Sequence, residues 1–184
     1  MERINWNLMN NLKKLNLGCG KKYLKGWVNL DISDKDIYDN KIKVDVKHDL
    51  NRFPWPFKDD EFDRVLLEHN LEHLKDIYKV MKELTRITKN GGRIKIITPH
   101  FSCYLAYRDP THIHFFSRDS IDYFKRKNIV LSKRLKASHN KFIDIFSPLI
   151  NKFPVIYERF FYGFFPVQEN IWELKVKKEI KSFF

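Results

Sequence analysis

The chain has 184 residues and a mass of 22.4 kDa, which points to one domain, since domains usually run to ~100–200 residues. With 43% hydrophobic and 32% charged residues the composition is globular, and two cysteines, Cys19 and Cys103, are too few for a secreted disulfide framework. Thirty-five Lys and Arg against 23 Asp and Glu leave a net charge of +12, which draws polyanions and anionic membranes without dictating a fold. Leu15-Asn16-Leu17 predicts a short buried strand ending at Gly18-Cys19-Gly20. Residues 27–32 predict a second strand and the alternation over 41–46 a third. Two prolines make 51–57 a loop, and Phe62 to Leu67 follows as a fourth strand. Apolar residues from Leu71 to Ile87 recur at steps of three and four, which predicts one amphipathic helix stopped by Asn90-Gly91-Gly92. Arg93 to Thr98 predicts a fifth strand. A loop from His100 to Phe116 leads to a helix capped by Ser117 and running to about Lys127. Strands over 129–137 and 171–176 flank an aromatic, proline-broken helical segment from Lys141 to Phe165. Alternating strands and helices predict an α/β fold: a Rossmann-like, seven-stranded, mainly parallel sheet with helices on both faces.

In such a sheet, ligands bind outside the carboxyl ends of the strands. Gly18 and Gly20 follow the first strand, Asp31 ends the second, and Asp49 follows the third. Glycines let a ligand press against main chain. A carboxylate at the end of the second strand can accept from both hydroxyls of a ribose. Asp49 is placed to accept from an exocyclic amine, with Leu50 and Phe53 beside it to flank an adenine.

Leu15-Asn16-Leu17-Gly18-Cys19-Gly20 resembles the glycine-rich first motif of the class I S-adenosylmethionine-dependent methyltransferases. Asn29-Leu30-Asp31 resembles their ribose-binding motif, and His48-Asp49-Leu50 the stretch whose Asp meets the adenine amine. The similarity continues through Leu71-Glu72-His73-Leu74 to the strand from Ile94 to Thr98. The later Pro99-His100-Phe101-Ser102 and Asp109-Pro110-Thr111-His112 are similar to a subgroup of small methyltransferases. The resemblance implies S-adenosylmethionine as cofactor, held by Leu17, Gly18, Cys19, Gly20, Asp31, Ile32, Asp49, Leu50 and Glu68. It implies one domain over 1–184, with a cofactor-binding half at 15–98 and a substrate-side half at 99–184.

One departure concerns length. Only Gly18 to Gly26 separates the first two strands, whereas a strand–helix–strand crossover usually takes ~10–12 residues or more, so the first crossover helix is expected to be shortened or lost. Asp31 lies only eleven residues beyond Gly20, too close for the ~20-residue spacing of a dinucleotide site.

Methyl transfer to oxygen or nitrogen needs alignment and a base for the acceptor's proton. Candidates are His69, His100, Asp109 and His112 at strand ends and in the following loop, with His100 and His112 the preferred pair. Asp109, His112 and His114 carry ligand-type side chains, but in an extended stretch His112 and His114 point to opposite sides, so no metal site is expected. Cys19 reads as a small buried residue rather than a nucleophile. The aromatic segment over 142–165 is read as packing across the sheet, with a substrate lid, a dimer contact or a membrane-surface patch as alternatives. The expected acceptor is a small molecule or glycan-like compound. An RNA acceptor, favoured only by the charge, and an inactive cofactor-binding partner subunit are the rival readings. Without an 18-residue apolar run or a signal peptide, a cytoplasmic protein is expected.

Overall fold

The computed structural model describes residues 12–36, 38–138 and 144–178. Its centre is a seven-stranded sheet in the order β3-β2-β1-β4-β5-β7-β6. The strands are β1 (Lys14–Leu17), β2 (Val28–Asp31), β3 (Val46–Lys47), β4 (Phe62–Glu68), β5 (Thr88–Pro99), β6 (Asn128–Lys136) and β7 (Glu169–Val176). The first five run parallel, and β7 joins antiparallel between β5 and β6. This is the mainly parallel, Rossmann-like sheet the alternation predicts.

Helix α1 (Ile77–Ile87) lays Val80, Met81, Leu84 and Ile87 on one face of the sheet, against Leu15, Leu17, Val65, Leu67, Ile94, Ile96 and Trp172. Those strand residues alternate along each strand, so one face is apolar throughout. The opposite face carries Arg64, Leu66, Lys95, Ile97 and Glu173, which line a groove with Lys22, Leu24 and Trp27. The last three belong to the β1–β2 connection. Among the described residues that connection holds no helix, as its length predicts. A buried pair of amides pins it instead. Asn16 Nδ2 donates to the Lys22 carbonyl at 2.8 Å and to Asn29 Oδ1 at 3.1 Å. Asn29 Oδ1 also accepts from the Leu24 amide at 2.8 Å, and Asn29 Nδ2 donates to the Leu24 carbonyl at 3.0 Å.

Several elements differ from expectation. The third strand is only Val46–Lys47, and Lys41 makes a single bridge to Lys35. Asp45 is diverted: its carboxylate accepts from both the amide and the side chain of Asn29. The periodic run from Leu71 is split into a 3-10 turn, Leu71–His73, and α1, because Leu74 is extended and Asp76 caps α1 at the Lys79 amide. α1 ends at Ile87 rather than at the glycine pair, since Thr88 turns extended and its hydroxyl bonds the Leu84 carbonyl. The loop after β5 contains a single helical turn, α2 (Leu105–Arg108). The helix expected from Ser117 is a kinked 3-10 segment, Ser120–Lys127.

The aromatic segment forms α3 (Ser147–Lys152), α4 (Pro154–Ile156) and a π-helical turn, Tyr157–Phe161. It does not pack across the sheet. Ile150 and Tyr157 join Leu135, Ala137 and Val167 in a small second core, while Ile145, Leu149, Phe160 and Phe164 stay exposed. Phe142 and Ile143 lie outside the described residues. No helix among the described residues is long and apolar enough to cross a membrane.

Candidate functional site

The parallel strands end on one rim. After β1 the chain turns through two left-handed glycines, Gly18 at φ 62° and Gly20 at φ 48°. A Cβ on Gly18 would lie 1.9 Å from Asn70 Oδ1. Beside Gly20 there is open space: apart from its chain neighbours, no atom of the described residues lies within 4 Å of where a Cβ would stand. The Gly20 amide donates to Asp31 Oδ2 at 2.8 Å, and the Ile32 amide donates to Asp31 Oδ1 at 2.8 Å. The Ser33 amide adds a longer bond to Oδ1 at 3.5 Å, and since a carboxylate has about four acceptor sites, Asp31 keeps capacity for a further donor, chiefly on Oδ2. Ile32 is 66% exposed on this rim, whereas Leu17 is fully buried and contributes main chain only. Leu50 is buried next to Asp49, whose Oδ1 accepts from the Asn51 amide at 2.9 Å. Cys19 is buried, and burial, then the nearby Asp31 charge, push its thiol up to about 11. It is a neutral thiol rather than a nucleophile.

A bare main-chain turn, open space and a half-open carboxylate suit an adenosine-bearing cofactor of the kind the motifs imply.

The end of β4 links this rim to a second feature. Glu68 reaches Lys22 in the β1–β2 connection. Asn70 Nδ2 donates to the Gly18 carbonyl at 3.1 Å and to the Glu68 carbonyl at 2.6 Å. Between them His69 sits at φ 52°, a conformation uncommon for a non-glycine residue. Its side chain turns the other way, into a cleft of about 340 Å³ lined by Glu72, His73, Arg108, His112 and Glu169 among others.

Glu72 and Glu169 are buried at the cleft, while His69, Arg108 and Asp109 stay open to solvent. His69 Nε2 lies 3.0 Å from Glu169 Oε1 and its Nδ1 3.5 Å from Glu72 Oε1. Burial works to discharge the ring, but the bonds to Glu169 and Glu72 outweigh it and push His69 up to about 9. His69 is therefore a cation at neutral pH. Asp109, at the cleft wall, is held below the ordinary carboxylate range by hydrogen bonds from the Thr111 hydroxyl and amide. The loop carrying His112 is clamped to the 3-10 turn, since the Ile113 amide donates to the Glu72 carbonyl at 2.9 Å.

Three of the four expected catalytic candidates, His69, Asp109 and His112, thus share one cleft. His100 does not line it. Its ring is fully buried, with Nε2 3.0 Å from Glu158 and Nδ1 2.8 Å from Ser102 Oγ, so it ties the end of β5 to the π-helical turn. His114 is turned to the Leu74 carbonyl. Glu72, His73, Arg108 and Glu169 were not expected. Glu72 and His73 stand in the Leu71-Glu72-His73-Leu74 stretch, but only the fold brings Glu169 to a histidine 100 positions earlier.

Residues 15–96 match the methyltransferase domain family. A demethylmenaquinone methyltransferase of Streptomyces griseus is 37% identical over 80 residues, covering 34% of this chain and 35% of that protein. The chain therefore matches about a third of that relative's length. Among solved structures, a chain of the Haloferax volcanii complex between the Trm112 methyltransferase activator and a methyltransferase superposes with a TM-score of 0.63 at 17% identity, covering 91% of this chain and 84% of that one. A SAM-dependent methyltransferase from Archaeoglobus fulgidus gives 0.61 at 19%, covering 90% and 87%.

Proposed function

Starting from a chain that belongs to the class I S-adenosylmethionine-dependent methyltransferases by its matched domain and its fold, we propose that it methylates an oxygen or nitrogen of a small-molecule or glycan-like acceptor held in the cleft. The observation that carries this reading is the fan of side chains at the end of β4. Asn70 holds the main chain of the glycine-rich turn, and His69 beside it turns into the cleft. A cofactor on the rim and an acceptor in the cleft are then neighbours.

Bound S-adenosylmethionine supplies an activated sulfonium methyl, which passes to an acceptor lone pair while sulfur keeps the C–S electrons. The chain supplies alignment, worth much of the barrier when the reacting atoms are held in line. Asp31 takes the ribose with its spare acceptor capacity, and Asp49 takes the adenine amine. Gly18, Cys19 and Gly20 present main chain, and Ile32 and Leu50 flank the base. In the cleft, the carboxylate of Glu72 and the imidazole of His112 form a base-rich floor for the acceptor's proton, while Arg108 and Asp109 select polar groups at the wall. His69 is a cation that orients the carboxylates and does not serve as the base. The unbroken sheet across β5, β7 and β6 supports one domain, although Glu72 and Asp109 bring the two halves together in one site.

The test is transfer from methyl-labelled cofactor into fractionated cell extract. We expect label in a small-molecule or glycan fraction, and loss of that label with Asp31→Ala and with His112→Ala. Label in RNA would move the acceptor to the rival class. Cofactor binding with no labelled fraction would point to an inactive partner subunit.

A further inference from the structure

We propose that Glu72, His73 and His112 form a site for a divalent transition-metal ion on the floor of the cleft. This deepens the methyltransferase reading and rests on it for the ion's purpose, but not for its binding. Three donor atoms, one from each residue, lie within 4.8 Å of one another. Two imidazoles and a carboxylate with open positions are a donor set suited to first-row transition ions rather than magnesium or calcium.

The protonation pattern of both rings follows from their partners. His112 Nδ1 lies 2.8 Å from the Ala106 carbonyl, which can only accept, so Nδ1 carries the proton. Nε2 is left with its lone pair, 4.0 Å from Glu72 Oε1. The Thr111 hydroxyl donates to Asp109 Oδ1 at 2.7 Å, so it accepts from His73 Nδ1 at 2.9 Å. His73 Nε2 is likewise left free to ligate. A main-chain carbonyl and a Thr–Asp relay behind two histidines are the kind of outer partners that fix tautomer and ring orientation at metal sites.

An independent observation comes from Glu72. The residue is 1% exposed, and its Oε2 has no hydrogen-bond partner among the described residues. His69 stands 3.5 Å from Oε1, so what is left unmet is Oε2, a buried acceptor that costs stability until a donor or a cation reaches it. Main-chain bonds from Ile113 and His114 to the Glu72 carbonyl hold the two ligand-bearing segments in register before any ion arrives. With bonds of ~2.0–2.2 Å, the three donors close by about an ångström on loading.

An ion there faces the cleft. An acceptor hydroxyl bound to it through one lone pair loses its proton to solvent more readily, and a second lone pair attacks the methyl carbon. His112 then acts through the ion rather than receiving the proton itself. From the sequence, Asp109, His112 and His114 carry ligand-type side chains, but His112 and His114 point apart in an extended stretch and would not share one ion. The fold instead partners His112 with a motif 40 positions earlier, and turns Asp109 into a support.

The experiment is calorimetric titration of chelator-treated protein with Zn²⁺, and with Co²⁺ to read d–d absorption. We expect one equivalent per chain with micromolar or tighter affinity and a Co²⁺ spectrum of low coordination number. Glu72→Gln, His73→Gln and His112→Gln should each weaken Zn²⁺ by more than the ~10–100-fold typical of a supporting residue, while His48→Gln should not. S-adenosylhomocysteine affinity, measured on the same samples, should survive in Glu72→Gln and reports that the variant is folded. If Glu72→Gln does not fold, the two histidine variants decide. Zn²⁺ binding equal in wild type and variants, or none below millimolar, would overturn the site. Loss of cofactor binding in the wild type with Zn²⁺ binding intact would overturn the cofactor rim and leave the metal site standing.

Discussion

At the rim the working groups are main-chain amides, glycines and carboxylates half open to solvent. In the cleft two buried carboxylates, Glu72 and Glu169, face the solvent-open ring of His69 and push it up to about 9. A rim of this kind has local causes: a turn that needs glycine and an acid at a strand end lie close in sequence. The cleft needs the whole fold, since His69 meets Glu169 only because β7 inserts beside β5. On the proposed function, the same division separates what a generic cofactor requires from what a particular acceptor requires.

The largest expected effect breaks the rim. Asp31→Ala removes acceptors for the Gly20 and Ile32 amides and for the ribose at once. With charged hydrogen bonds worth about 1.5–3 kcal/mol, S-adenosylhomocysteine affinity should fall by roughly 10–150-fold in a calorimetric titration. Unchanged affinity would dissociate Asp31 from the cofactor. Gly18→Ala attacks the joint between the regions. Its methyl overlaps Asn70 at a positive φ, so a loss of about 1–3 kcal/mol of stability is expected in a urea melt. A melt matching wild type would show that Asn70 is free to move.

Within the substrate-side half, His100→Ala distinguishes a structural histidine from a cleft histidine. It leaves Glu158 short of a buried partner, and about 1–3 kcal/mol of stability should be lost. The residual folded enzyme should keep cofactor affinity, whereas His112→Ala, which gives up one bond to the Ala106 carbonyl, should cost less stability and remove turnover. The opposite pattern would return His100 to the cleft.

The smallest effect is acid sensitivity far from both regions. Burial raises the Glu83 carboxyl, but hydrogen bonds from Arg86 and the Trp55 amide outweigh it and hold it below the ordinary 4.5. A depressed folded value stabilises the fold above pH 4.5 and loses that contribution as pH falls through the folded pKa. Glu83→Gln should flatten the fall in melting temperature below that pH. An identical acid slope would exclude the pair as its source.

Much of the sheet was legible because each central strand carries its own apolar run. The order of elements and the missing β1–β2 helix follow from pattern and length. The boundaries that shifted did so for side-chain reasons: Asp76 capping α1, Asp45 drawn to Asn29, Thr88 bonding Leu84. Gly18, Gly20, Asp31 and Asp49 stand together in sequence order at strand ends, so the rim could be read. Glu72 and His73 stand in a stretch that resembles the family, but the stretch does not say what they face, and only their tertiary neighbours reveal it. The exposed aromatic segment misled by composition, since apolar content does not say which surface receives it.

The most direct measurement is a crystal structure with S-adenosylhomocysteine. The account predicts ribose hydroxyls on Asp31, adenine beside Asp49 and Leu50, and sulfur turned past Asn70 towards His69 and the cleft. A ligand whose sulfur points away from the cleft, or a rim closed by its own side chains, would contradict it.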